Sequence, residues 1–298
     1  MKRPPRLGLL GLLALLVLVA SSMAAGNARL RVLLLTGVNH HDWRNTTPQI
    51  SAALSETGKF DVAVVTTPPI EALDAVWQTN QFNFKSYDVV VLNWTDYGKK
   101  PATRAWMDDL VSYVTQGGGL VVIHAASLEF HPDWSKLSGL GWHDASFGDR
   151  LTMSDDGQVV RTPKGEGPGS GHGSLFAWPV TMRAAQHPIA AGLPVTWLNA
   201  EDELWHGTRG PAKNLEIIAT AFSPLTRTNE PVMWTVKAGQ GRVFVTLLGH
   251  DANAMQGQGF RHTLARGCEW ATTGKVTLKV PENFPKTVSS TNVSTPLK

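Results

Sequence analysis

Gly117-Gly118-Gly119-Leu120-Val121-Val122-Ile123-His124-Ala125-Ala126-Ser127 is a glycine turn, a short unbroken apolar run and then a histidine. Glycines of this kind end a helix, and an apolar run of this length bounded by turn signals describes a strand buried on both faces. The strand is read as Leu120–His124. Upstream, Pro101–Gln116 is the helix that the glycines stop, with Pro at its first turn. Similar runs at Arg31–Thr36, Asp61–Thr66 and Asp88–Asn93, with an amphipathic helix at Thr47–Thr57, repeat the same alternation. Strand–helix alternation at such short intervals predicts an α/β fold: one doubly wound, mostly parallel sheet with helices on both faces.

Downstream of His124 the pattern weakens. Residues 127–173 are rich in Gly, Asp, Ser and Pro, and Gly165-Glu166-Gly167-Pro168-Gly169-Ser170-Gly171 is their extreme. An insertion of this kind on a rigid sheet covers or completes a site more often than it builds a core. Order returns at Leu215–Phe222, Pro231–Val236 and Arg242–Leu248, the last two joined by a hairpin at Lys237-Ala238-Gly239-Gln240-Gly241. A closing helix is expected over Phe260–Ala271, and a loose tail over 286–298.

The 298 residues are 42% hydrophobic, enough for one large domain, read as residues 29–285. Met1-Lys2-Arg3-Pro4-Pro5-Arg6, an apolar run from Leu7 to Ala25 and the small residues around Gly26-Asn27-Ala28 form the three parts of a signal peptide. Cleavage after Ala24 or Ala28 satisfies the small-residue rule, and an uncleaved anchor is the rival reading. The expected location is therefore periplasmic or secreted, with the membrane met only through this segment. Three of the 27 basic residues lie there, and 24 acidic residues balance the remainder. No basic cluster remains to favour nucleic acid. Cys268 is the sole cysteine, which excludes an intrachain disulfide, and its helical setting suggests a buried, inert thiol.

In open parallel sheets, ligands bind outside the carboxyl ends of the strands. The residues just past each strand are Gly37-Val38-Asn39-His40-His41-Asp42-Trp43, Asn93-Trp94-Thr95-Asp96, His124-Ala125-Ala126-Ser127 and Gly249-His250-Asp251. A single histidine at a strand end is ordinarily structural, but several at one edge point to acid–base or metal chemistry. Neutral imidazoles beside a carboxylate suit Zn²⁺ or a similar ion, and His40, His124 and His250 are the candidate ligands of a divalent metal. In Glu201-Asp202-Glu203-Leu204-Trp205-His206, Glu203 and His206 would share a face if the segment is a helical turn. Of the 11 Trp, Trp43, Trp94, Trp134, Trp142 and Trp205 stand beside polar loops, where indole faces stack on sugars. Trp106, Trp178, Trp197 and Trp270 read as core.

The segment from Gly117 to Ser127 resembles the signature of the ThuA (trehalose utilisation) family. The resemblance continues through Trp134…Leu137…Gly139…His143, His187-Pro188-Ile189…Gly192-Leu193, Asp202-Glu203-Leu204, Pro231-Val232…Trp234…Gly241-Arg242-Val243-Phe244…Leu248-Gly249-His250 and Phe260…Trp270-Ala271. His143 is followed by Asp144 where the family more often has Pro. The resemblance implies a flavodoxin-like sheet, similar to that of class I glutamine amidotransferases, without the nucleophilic cysteine on the turn after the central strand. Ser127 lacks the G-x-S-x-G setting of a replacement nucleophile. It also implies a small-molecule carbohydrate as partner, taken up by a lyase, isomerase or hydrolase acting on disaccharides or their 3-keto derivatives. In that reading His124, Glu203 and His250 are catalytic, and His40, His41, Trp43, Asn93, Trp94, His143, Trp205 and Asp251 bind substrate. The alternative is a non-catalytic carbohydrate-binding or scaffold protein on the same fold. The oligomeric state is left open.

Overall fold

A computed structural model describes residues 28–67, 82–95, 102–128, 134–211 and 213–286. The signal segment, the tail beyond residue 286, Asp96 and Pro101 lie outside them. The strands are β1 (Leu30–Thr36), β2 (Phe60–Thr66), β3 (Val89–Asn93), β4 (Gly119–Ile123), β5 (Asp149–Met153), β6 (Val159–Thr162), β7 (Phe176–Met182), β8 (Thr196–Asp202), β9 (Arg209–Gly210), β10 (Leu215–Ser223), β11 (Thr228–Ala238) and β12 (Gly241–Thr246). The helices are α1 (Trp43–Ser55), α2 (Ala102–Thr115), α3 (Trp134–Ser138), α4 (Ala252–Gln256) and α5 (Gln258–Thr273).

One mixed sheet runs β2-β1-β3-β4-β12-β11-β10-β7-β8, with β5, β6 and β9 branching from β11. The first five strands on that path are mutually parallel, and β11, β10, β7 and β8 extend them antiparallel. Strict alternation makes two cores, as expected where both faces of a sheet are covered. Val32, Leu34, Val89, Val91, Val121 and Ile123 face α1 and α5 through Ile50, Leu54, Leu264 and Cys268. Leu33, Leu35, Val90, Leu92, Leu120 and Val122 face α2 through Trp106, Met107, Leu110 and Val114. The sheet is thus α/β with a parallel core, as the sequence suggests. Its antiparallel half is larger than expected: β5, β6 and β9 are short, and β7 carries Pro179 in the middle of its run, which disguises a strand.

The register places the site. Thr36 pairs with Thr66 and Asn93, and Thr246 with Ile123, so the chain leaves all five parallel strands at one edge. Three antiparallel steps from β11 through β10 and β7 give β8 the direction of β12. Its carboxyl end at Asp202 therefore emerges on that same edge.

Candidate active site

His124 follows β4 directly and adopts a φ of 45°, which a residue carrying a side chain rarely takes. Its ring is 2% exposed, and its Nδ1 lies 2.6 Å from the Leu247 carbonyl just after β12. A carbonyl only accepts, so Nδ1 holds the proton of a donor. Nε2 then points at Oε2 of Glu203, 3.3 Å away, without forming a hydrogen bond of good geometry.

Glu203 collects further imidazoles. Its Oε1 lies 3.2 Å from Nε2 of His250 and 3.4 Å from Nδ1 of His172, and its Oε2 accepts the Trp205 indole N–H at 3.1 Å. Burial works to raise the carboxyl, but His124, Trp205 and His250 outweigh it and lower its pKa to about 2. His41 packs its ring 4.9 Å from that of His124 and 4.4 Å from that of His250. Burial, aided by the neighbouring imidazoles, lowers its pKa to about 3, so it is neutral at ordinary pH.

Two braces hold these groups. Asp202 is buried and accepts the backbone N–H groups of Glu203 (2.9 Å), Gly249 (2.8 Å) and His250 (3.0 Å), and the Asn199 side chain (3.1 Å). Burial pushes its pKa up, while those four donors supply what an ionised carboxylate needs. The carboxylate ties the end of β8 to the loop after β12, where Gly249 has a φ of 94° and Phe260 leaves no room for a Cβ. On the other side, the His41 N–H donates to Asn39 Oδ1 at 2.6 Å, and Asn39 Nδ2 donates to the Asn93 carbonyl at 3.1 Å. Asn93 itself donates to Thr36 and Thr46.

In front of these groups opens a cavity of about 240 Å³ lined by His40, His41, Ala125, Leu128, Trp142, His172, Glu203 and Trp205. Trp142 meets Trp205 edge-on at 4.7 Å and His172 at 5.7 Å. Larger surface grooves, such as one beside Lys136, Lys213 and Lys237, hold no comparable convergence of imidazoles and carboxylate.

Of the residues singled out in the sequence, His40, His41, His124, Glu203, Trp205 and His250 are brought together. Others serve elsewhere. Trp94 is fully buried against Trp106 at 5.0 Å, and Asn93 braces the His41 loop. Trp43, half-buried at the start of α1, carries the Arg44 guanidinium 4.4 Å over its ring. His143 stacks on Phe147 at 3.6 Å, away from the cavity lining. Asp251 caps α4 by accepting the Ala254 N–H at 2.8 Å, and its Oδ2 lies 3.7 Å from Nδ1 of His250. Glu203 and His206 do not share a helical face. The chain past β8 is extended, so Glu203 pairs with Trp205 two residues on, and His206 bridges to Gly171. His172 and Asp202 were not assigned roles from the sequence. His172 follows the glycine-rich insertion, and the expectation that such an insertion completes a site is the signal that pointed there.

For a cation, His41, His124 and Glu203 each offer one ligand atom, all within 4.8 Å of one another. His41 and Glu203 thus stand where the sequence suggested His40 and His250.

A strained histidine after the central strand, facing a carboxylate on the carboxyl edge of a mixed α/β sheet, defines a strand-end pocket protein without a cysteine nucleophile. The profile of the ThuA family, described as trehalose utilisation, matches residues 31–271, and the chain belongs to that family. A ThuA-like protein from Parabacteroides merdae is 33% identical, with a TM-score of 0.79 over 89% of this chain and 98% of that one. A second, from Bacteroides uniformis, is 16% identical, with a TM-score of 0.55 over 85% and 95%. No curated protein matches the sequence.

Proposed function

We propose that the chain is an exported sugar-processing enzyme, built on a flavodoxin-like core, that takes a disaccharide or its 3-keto derivative and moves a proton on it. The observation that carries this reading is the convergence of four imidazoles on Glu203 behind a cavity walled by Trp142 and Trp205. The family's description, trehalose utilisation, supplies the substrate class. The parallel strand order β2-β1-β3-β4-β12 is that of the flavodoxin-like folds. Export rests on the basic, apolar and small-residue order of the first 28 residues.

The chemistry suits a proton beside a carbonyl. In a 3-keto sugar the C2–H is acidified; a base that removes it leaves an enolate, whose electron pair expels the glycosidic oxygen from C1. That oxygen leaves as the alcohol once an acid protonates it. His250 and His172 are partly exposed and border Glu203, whose charge stabilises either ring when it takes the proton. His124, buried and committed through Nδ1, is a positioning residue that orients the carboxylate from behind.

The test is deuterium exchange at the carbon beside the carbonyl of 3-keto-trehalose in D₂O, with trehalose as the second substrate. Exchange or cleavage that is lost in Glu203→Gln supports the enzyme. Calorimetric binding of either sugar with no exchange and no cleavage favours the binding protein.

A further inference from the structure

We infer that His41, His124 and Glu203 form a site for one divalent transition-metal ion of the zinc class. The inference deepens the functional reading by naming what the same pocket holds, and it uses no property of the sugar.

With Nδ1 of His124 donating to Leu247, a neutral ring directs the lone pair of Nε2 at Oε2 of Glu203, 3.3 Å away. Two acceptors facing one another inside a protein repel, and a buried polar atom without a partner destabilises the fold. Nε2 is such an atom, on a side chain 2% exposed. A proton on Nε2 would settle that contact alone. A cation settles more, because it also satisfies the ring of His41, packed against both His124 and His250.

His41, His124, His172 and His250 surround Glu203. Two imidazoles and a carboxylate are a donor set that zinc and its neighbours accept. The Nδ1–H of His124 on a backbone carbonyl is the support that metal-bound histidines ordinarily have, since it fixes the tautomer and presents Nε2.

The donors also arrive on braced backbone. Glu203 is held by Asp202, His124 by Leu247 and His41 by Asn39, so ligand geometry exists before any ion enters. A bound ion would serve as Lewis acid toward a carbonyl oxygen in the cavity.

The experiment titrates ZnCl₂ into chelator-treated protein by calorimetry and records the visible d–d spectrum of the Co²⁺ form. One ion per chain is expected, with affinity falling at least ~100-fold in His41→Ala and in Glu203→Gln, beyond what loss of an outer-shell partner costs. His41 is partly exposed, so its variant should fold, as circular dichroism checks. Absence of binding in the wild type overturns the proposal, as does binding or a Co²⁺ spectrum unchanged by both substitutions. Sugar exchange in a chain that binds no ion refutes the metal alone, and a bound ion without sugar chemistry refutes the enzyme alone.

Discussion

Nε2 of His124 faces Oε2 of Glu203 at 3.3 Å, and the two residues reach that contact from strands at distant places in the sheet order. His124 makes the contact from a positive φ. Strain of this kind persists only where the surroundings over-determine it, and functional sites are where it collects. His124→Ala should therefore lower stability and activity together. The change leaves the Leu247 carbonyl unpaired and opens a void, together about 2–4 kcal/mol. Glu203→Gln should remove at least ~100-fold of turnover while moving the melting midpoint far less. Denaturant melts and turnover of the two variants, side by side, check the contrast.

The carboxylate of Asp202 is the brace whose loss should be felt most widely. Asp202→Asn replaces an acceptor of four N–H groups by an amide whose NH2 must face either the donors of Gly249 and Asn199 or those of Glu203 and His250. Losing those buried bonds should cost about 2–4 kcal/mol. Amide exchange at Gly249 and His250 should rise with it; a variant melting like the wild type would show that the loop after β12 is held by packing alone.

The parallel core was legible because its grammar is local. Residues 119–123 and their counterparts are continuous apolar runs, and the glycines beside them stop helices within a few positions. The edge to which their loops lead follows from parallel pairing. What could not be read was distance across the sheet. Asp202 is one acid among three in sequence, and only the curl of β11, β10, β7 and β8 brings it to Gly249. Asn93 and Asp251 stood at the right edge, yet the Asn93 side chain is taken up by Thr36 and Thr46, and one Asp251 oxygen caps a helix, which any Asn or Asp at a turn can do.

Arg209 should control the insertion that carries His172. Its guanidinium is fully buried and donates to the carbonyls of Gly148, Pro163, Glu166 and Pro168, holding the glycine-rich segment onto β9. Lysine cannot reproduce that planar fork of donors. Arg209→Lys should accelerate proteolysis between residues 163 and 171 and raise KM more than it lowers kcat, since His172 is then less often at the cavity. Unchanged cleavage would mean that the antiparallel pairing of β5 and β6 fixes the segment alone.

Cys268 should be invisible to alkylating reagents in the native protein. It is fully buried on α5 against the sheet, and burial pushes its thiol up, away from the reactive thiolate. Mass spectrometry after iodoacetamide should show labelling only above the unfolding transition, and Cys268→Ser should leave sugar chemistry intact.

Acid should destabilise the fold through histidines remote from the cavity. Burial lowers His143, His187 and His262 from the ordinary 6.5 to about 4 each, with the Arg266 charge adding to the effect at His262. His187 shows why a proton is unwelcome: its Nδ1 accepts the Ile189 N–H at 3.2 Å and must keep its lone pair, while its ring packs on Trp270. The unfolded chain binds these protons below pH 6.5 and the native chain only below about 4. Their contribution is thus fully present above pH 6.5 and is lost as pH falls through that window. Each such proton tilts stability by about 1.4 kcal/mol per pH unit. Denaturant melts between pH 7 and 4 should show a steep decline, and His187→Asn, which keeps an acceptor for Ile189 but cannot titrate, should flatten it by close to one proton. A slope identical to the wild type would place the acid sensitivity in the carboxylates instead.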